Sequence, residues 1–120
     1  MIIGVPREVK DHESRVGLVP HGVTTLVEMG HQVVVQTRAG SLSSITDEEY
    51  LEAGARIAPT AADVWNVADI IVKVKEPQPS EYVYLRPGLT IFTYLHLAPL
   101  PELTQKMLET QVTGIAYETI

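Results

Sequence analysis

Cysteine is absent from this 120-residue chain, which excludes a disulfide scaffold, a thiolate zinc site and a cysteine nucleophile. Basic residues are in short supply: 9 Lys and Arg against 15 Asp and Glu leave a formal charge of −6. A surface for nucleic acid or for an anionic membrane needs clustered Lys and Arg, so neither partner is expected. Long apolar runs are missing as well. None approaches the ~20 residues of a membrane-spanning helix. The opening MIIGVPREVK lacks the basic start, apolar stretch and small-residue cleavage site of a secretory signal. A cytoplasmic location is therefore the default expectation. His12, His21 and His31 stand at no metal-ligand spacing to one another or to carboxylates, so no metal site is expected. No Gly-x-Gly-x-x-Gly follows any apolar run, and Arg38-Ala39-Gly40-Ser41 is too weak a phosphate cradle. No cofactor-binding residue is assigned within the chain.

What is present has the length of one domain, enough to bury roughly two-thirds of the surface the unfolded chain exposes. Short β-branched runs alternate with stretches of helical spacing. Met1 to Val5 reads as a buried strand. Pro20 opens a helix that clusters Val23, Leu26, Val27 and Met29 and stops at Gly30. His31 to Gln36, with Val33, Val34 and Val35 in one run, suits a strand covered on both faces. Asp47-Glu48-Glu49 starts a second helix, its acids near the positive end of the macrodipole, and Gly54 ends it. Ala55 to Ala58 is a short strand, and Thr60 caps a helix containing Val64 and Trp65. Asp69 to Val74 is the clearest strand. A short helical turn over Ser80 to Leu85, a strand over Leu89 to Tyr94, a helix from Pro101 and a strand over Thr113 to Ala116 complete the reading.

Strand and helix in repeated alternation predict right-handed crossovers and an α/β fold: a mostly parallel sheet with helices on both faces, Rossmann-like or flavodoxin-like. Tyr117-Glu118-Thr119-Ile120 comes directly after a strand with no helix to cover it, which reads as a truncated domain of a larger protein.

In open parallel sheets ligands bind outside the carboxyl ends of the strands. Arg15 lies in the loop after the first strand, Lys75 follows the strand ending at Val74, and His96 follows the strand ending near Leu95. These three are expected to converge at one rim. Each also has an ordinary reading: a solvated Arg in a charged loop, a Lys snorkelling off a strand end, a satisfied core His. Lys73 and Lys75 are expected to point the same way from the strand, by its period of two.

The segments IGVPREVKDHESRVGLVP, DIIVKVKEP, FTYLHLA and GIAYET resemble bacterial alanine dehydrogenases across the whole chain, which covers about the first third of such an enzyme. The N-terminal segment is shared with the NAD-binding subunit of proton-translocating transhydrogenase. KVKEP and YLHLA favour the dehydrogenase, because the transhydrogenase relatives do not keep that Lys and His together. The resemblance implies that residues 1–120 are an incomplete N-terminal substrate-binding (catalytic) domain, with the NAD-binding domain absent from the chain. It implies reversible oxidative deamination, L-alanine, NAD and water giving pyruvate, ammonium and NADH, by a homo-oligomer, commonly a hexamer.

Three positions carry roles by resemblance. Arg15 matches the arginine that holds the substrate carboxylate, Lys75 the lysine at the carboxylate and keto oxygen, and His96 the histidine of acid–base work. The chemistry agrees: a guanidinium offers two parallel donors to a carboxylate, a fixed cation stabilises charge developing on the keto oxygen, and an imidazole suits proton transfer near neutral pH. Which of Lys75 and His96 is the working base stays open. One departure stands out. Leu42 occupies the place of a family glycine, and Leu resists the positive φ that Gly permits, so this loop is expected to differ in shape. Two rival readings remain: an N-terminal domain of the transhydrogenase alpha type, and a stand-alone, non-catalytic module that binds a 2-oxo acid.

Overall fold

A computed structural model describes residues 1–94 and 101–116. Its six strands are β1 (Ile2–Val5), β2 (Gln32–Gln36), β3 (Arg56–Ala58), β4 (Ile70–Lys75), β5 (Thr90–Tyr94) and β6 (Thr113–Ala116). Between them lie α1 (Pro20–Glu28), α2 (Asp47–Glu52), α3 (Ala61–Trp65) and α4 (Pro101–Thr110). The strands form one sheet in the order β3-β2-β1-β4-β5-β6. Every pairing is parallel, so the mixed sheet that a "mostly parallel" reading allowed is not seen among the described strands.

Local chemistry accounts for the element ends. Pro20 opens α1, and Gly30 takes φ +94° just past its end, a conformation that costs a residue without a Cβ little. Thr46 and Glu49 form a reciprocal capping box on α2, each side chain accepting the other residue's backbone N–H at 3.2 Å. Thr60 accepts from the Asp63 N–H at 3.2 Å and caps α3.

The valine run of β2 shows how the sheet is covered. Val33 and Val35 pack with Val23 of α1 and Tyr50 of α2, while Val34 joins Val64 and Trp65 of α3 on the opposite face. Leu103 and Met107 of α4 are buried near Tyr82 and Val112, which also border the α3 core. Helices therefore lie on both faces, as the alternation predicts. The expected helical turn over Ser80 to Leu85 is a 3₁₀ turn at Pro79–Tyr84, and a second one at Ser41–Ser43 is an addition the sequence did not suggest.

That second turn bears on Leu42. The left-handed residues of the loop are Arg38 (φ +64°) and Ser44 (φ +60°), and Leu42 sits between them inside the 3₁₀ turn, exposed. The glycine-to-leucine departure thus demands no positive φ here.

Candidate functional site

The strand order reverses between β1 and β4. β1 pairs β4 only at Ile3↔Ile70 and Gly4↔Ile71, whereas β4 runs on to Lys75. The two strands part at their carboxyl ends, which is where an open parallel sheet forms its ligand crevice. The segment Pro6 to Val19, between β1 and α1, folds into this opening. Three contacts fix it against β4 and the residue that follows it. Glu8 bonds the β4 backbone, Lys10 Nζ lies 2.5 Å from Glu76 Oε1, and Gly17 lies so close to the Val72–Lys73 peptide that a Cβ there would sit 2.5 Å from the Val72 carbonyl oxygen.

Lys75 reaches the crevice by an irregular route. Val72 pairs with Phe92 and Lys75 with Tyr94, three steps along β4 against two along β5, so β4 carries one extra residue as a β-bulge. Paired residues of neighbouring strands share a face, so Val72 and Lys75 lie on the face of Phe92 and Tyr94, and Lys73 lies on the other. The expectation that Lys73 and Lys75 point the same way is therefore wrong, because the extra residue reverses the alternation. Lys73 is fully buried, whereas the Lys75 side chain is 29% exposed.

Consecutive N–H groups of a regular strand point in opposite directions. At the bulge they do not: the Val74 N–H donates to Glu8 Oε2 at 3.0 Å and the Lys75 N–H to Glu8 Oε1 at 3.1 Å. Lys73 Nζ donates to Glu8 Oε1 and to the Lys75 carbonyl, both at 3.1 Å, and lies 3.5 Å from Glu81 Oε1. Thr93 adds a hydroxyl bond to the Val74 carbonyl at 3.0 Å. Burial pushes the Glu81 carboxyl above the usual carboxylate range, against the pull of Lys73.

Arg15 stands across the crevice from Lys75. Its Nε and Nη2 form a two-pronged bond to Glu13 Oε2 and Oε1, each at 2.9 Å, and its own backbone N–H donates to Glu13 Oε2 at 2.9 Å. Lys75 Nζ lies 3.9 Å from Glu13 Oε1, the oxygen that Arg15 Nη2 holds. One carboxylate oxygen thus faces both cations. The hydrogen bond from Arg15 is the main reason the buried Glu13 carboxyl is held below its ordinary range, with burial opposing it. The Arg15 side chain is 61% exposed, and among the described residues Glu13 bonds its Nε–Nη2 edge. A cavity of about 320 Å³ lined by Arg15, Val16, Gly17, Val74 and Tyr94 opens beside it.

Of the three expected site residues, the structure brings Arg15 and Lys75 together and sets them around a carboxylate. His96 lies outside the described residues. Sequence reasoning passed over Glu8 and Glu13. Their signals were modest: a carboxylate directly after β1 at a strand's carboxyl end, and an acid two residues from the candidate arginine. Burial separates both from the solvated charges around them.

Comparisons with known proteins bear on this arrangement. A family profile described as Alanine dehydrogenase/PNT, N-terminal domain, matches residues 4–120. An alanine dehydrogenase of Methanococcus maripaludis is 52% identical over all 120 residues, and alanine dehydrogenase 2 of Staphylococcus aureus 55%. The chain spans about a third of each, 32% of its length. A solved L-alanine dehydrogenase superposes with a TM-score of 0.96 at 48% identity, over 98% of this chain and 32% of that one. A transhydrogenase from Sinorhizobium meliloti superposes with a TM-score of 0.89 at 34% identity, over 97% of this chain and 33% of the other.

Proposed function

Since the chain belongs to the alanine dehydrogenase/PNT N-terminal domain family, we propose that it is the substrate-binding domain of an NAD-dependent alanine dehydrogenase. The full-length protein interconverts L-alanine, NAD and water with pyruvate, ammonium and NADH. One observation carries the reading: Arg15 and Lys75 face a single carboxylate oxygen at the β1–β4 crevice, in a chain more than half identical to alanine dehydrogenases.

Glu13 is the protein's own carboxylate in that place, and its bonds hold the guanidinium in a fixed plane. The outer edge of Arg15 then takes the carboxylate of pyruvate or alanine as a planar fork, which orients as well as binds it. Lys75, on the same face, lies where charge develops on the keto oxygen as ammonia adds, and a preset cation there stabilises it. His96 is assigned the proton transfers on the strength of the family resemblance. NAD supplies the hydride chemistry when bound, and the described residues do not fit it. No Gly-rich cradle follows a strand, and Gly40 is packed against Ile45 and Tyr50, where a Cβ would lie 2.7 Å from the Ile45 Cβ. We therefore assign NAD to the remainder of a protein about three times this length. A homo-oligomer, a hexamer by family resemblance, and a cytoplasmic location belong to the same reading. Among the described residues no helix is long and apolar enough to cross a membrane.

The test is NADH consumption by the full-length protein with pyruvate plus ammonium, each omitted in turn. Loss of NADH only with both present is expected, and Arg15→Ala should raise the pyruvate KM. NADH binding without pyruvate-dependent turnover would refute the proposal in favour of the transhydrogenase relative. Pyruvate binding without any NADH binding would point to a non-catalytic module.

A further inference from the structure

Lys75 depends on an irregularity for its position, and the groups that hold the irregularity are charged and buried. We propose that Glu8 and Lys73 are positioning residues, whose buried ion pair holds the β4 bulge and thereby sets the face on which Lys75 presents its ammonium. The inference rests on the reading of Lys75 as a substrate-contacting residue.

Both backbone polar groups of Lys75 are held by this pair. Glu8 takes the Lys75 N–H, and Lys73 gives a bond to the Lys75 carbonyl. Glu8 also accepts the Val74 N–H, which the bulge has turned to the same side. These donors face the gap left where β1 stops pairing, so no strand backbone is there to accept them. A neutral side chain in place of Glu8 leaves them short of acceptors. The regular register, with Lys75 one step further along β5 and on the buried face of Lys73, then loses its chief competitor. The pair is a costly device for stability alone. Side chains 0% and 2% exposed give up almost all hydration, and an apolar pair of similar volume often does as well. What an apolar pair cannot do is accept two N–H groups and donate to a carbonyl, and those bonds define the bulge.

The experiment uses the full-length enzyme. Glu8→Gln should raise the pyruvate KM or lower kcat/KM by about 10- to 100-fold, the scale of an ångström's misplacement in a site. NADH affinity should stay as in the wild type. The same change in a Lys75→Ala background should have almost no further effect, because the residue being positioned is gone. Lys73→Met leaves Glu8 buried without its cation, so the double change Glu8→Gln/Lys73→Met serves where that single variant does not fold. Wild-type kcat/KM for pyruvate in folded Glu8→Gln, or equal losses in both Lys75 backgrounds, would overturn the proposal. A second readout needs no variant and no activity. Hydrogen exchange on wild-type peptides spanning 72–76 should show the Val74 and Lys75 amides protected, and exchange at the rate of an open loop would also overturn it. If the wild type fails to use pyruvate, the functional reading falls, and this exchange measurement still decides the clamp.

Discussion

Replacing Gly17 with Ala tests whether the crevice geometry, and not merely its inventory of charges, makes the site. Gly17 has no unusual φ, so its substitution carries no left-handed strain, and the cost is steric. The new Cβ would lie 2.5 Å from the Val72 carbonyl oxygen, 2.8 Å from the Val72 carbonyl carbon and 2.8 Å from the Lys73 Cα. An ordinary carbon–oxygen contact is about 3.3 Å, so loop and strand must separate by roughly 0.8 Å. All three atoms are backbone, and no rotamer change relieves them. Overpacking of this kind costs about 1–3 kcal/mol of stability. The displacement falls between Arg15, two residues away, and the strand carrying Lys75. A misplacement near 1 Å costs up to about 10²-fold, so kcat/KM for pyruvate should drop by roughly 10- to 100-fold, or about 1.4–2.7 kcal/mol of transition-state stabilisation. Steady-state kinetics on the full-length enzyme, with a denaturant titration alongside, give both quantities. Gly88→Ala is the control. Gly88 has φ +87° and open space around it, at the amino end of β5 and away from the carboxyl ends that form the crevice, so its cost is strain alone, about 1–2 kcal/mol. It should destabilise while leaving the pyruvate KM unchanged. Wild-type kinetics in Gly17→Ala, or equal kinetic losses in both variants, would refute the reasoning.

Other outcomes follow from the same geometry. Arg15→Lys keeps the charge but loses the fork that binds Glu13 at two points, and should raise the pyruvate KM by about tenfold or more in steady-state assays. Tyr50→Phe removes a buried hydroxyl, pushed up to a pKa of about 12 by burial, that donates to the Leu18 carbonyl at 2.7 Å. It should cost about 1–2 kcal/mol in denaturant unfolding with KM unchanged. Glu81→Gln tests a sign. A carboxyl with a raised pKa in the folded state makes stability fall as pH rises from the ordinary carboxylate value through the raised one. The variant should therefore melt higher than the wild type at pH 8 and lose that advantage near pH 4, and a pH-independent or reversed difference would contradict it.

The architecture was largely legible because it rests on patterns that survive packing. The Val33–Val35 run announced a strand covered on both sides, and Asp47-Glu48-Glu49, Thr60, Gly30 and Gly54 marked helix ends by local chemistry that tertiary contacts had no reason to override. The site was legible in part. Arg15 and Lys75 could be picked from their places after strands, yet the ordinary reading of Arg15 as an exposed cation is also true of it: what distinguishes it is the buried Glu13 that fixes its plane. The bulge was illegible. A period-two pattern has no symbol for an inserted residue, so Lys73 and Lys75 read as equivalent, and only the pairing with β5 separates a buried structural cation from a half-exposed one. Glu8 was invisible for the same reason, since its partners are backbone groups freed by that insertion. Leu42 was legible as a departure, but the places of the loop's left-handed residues, Arg38 and Ser44, were not.

The strand order also governs when this crevice comes into being during synthesis. β1, made first, gains β2 as a neighbour early, but its other flank stays open until the ribosome has delivered β4, with Ile2 waiting for Asp69, 67 positions downstream. Of the seams in the sheet this one joins the strands farthest apart in the chain, and on it Arg15 and Lys75 meet. The seam cannot form before β4 has been made, and a β4 that zips up out of step would yield a compact sheet with its lysine turned inward.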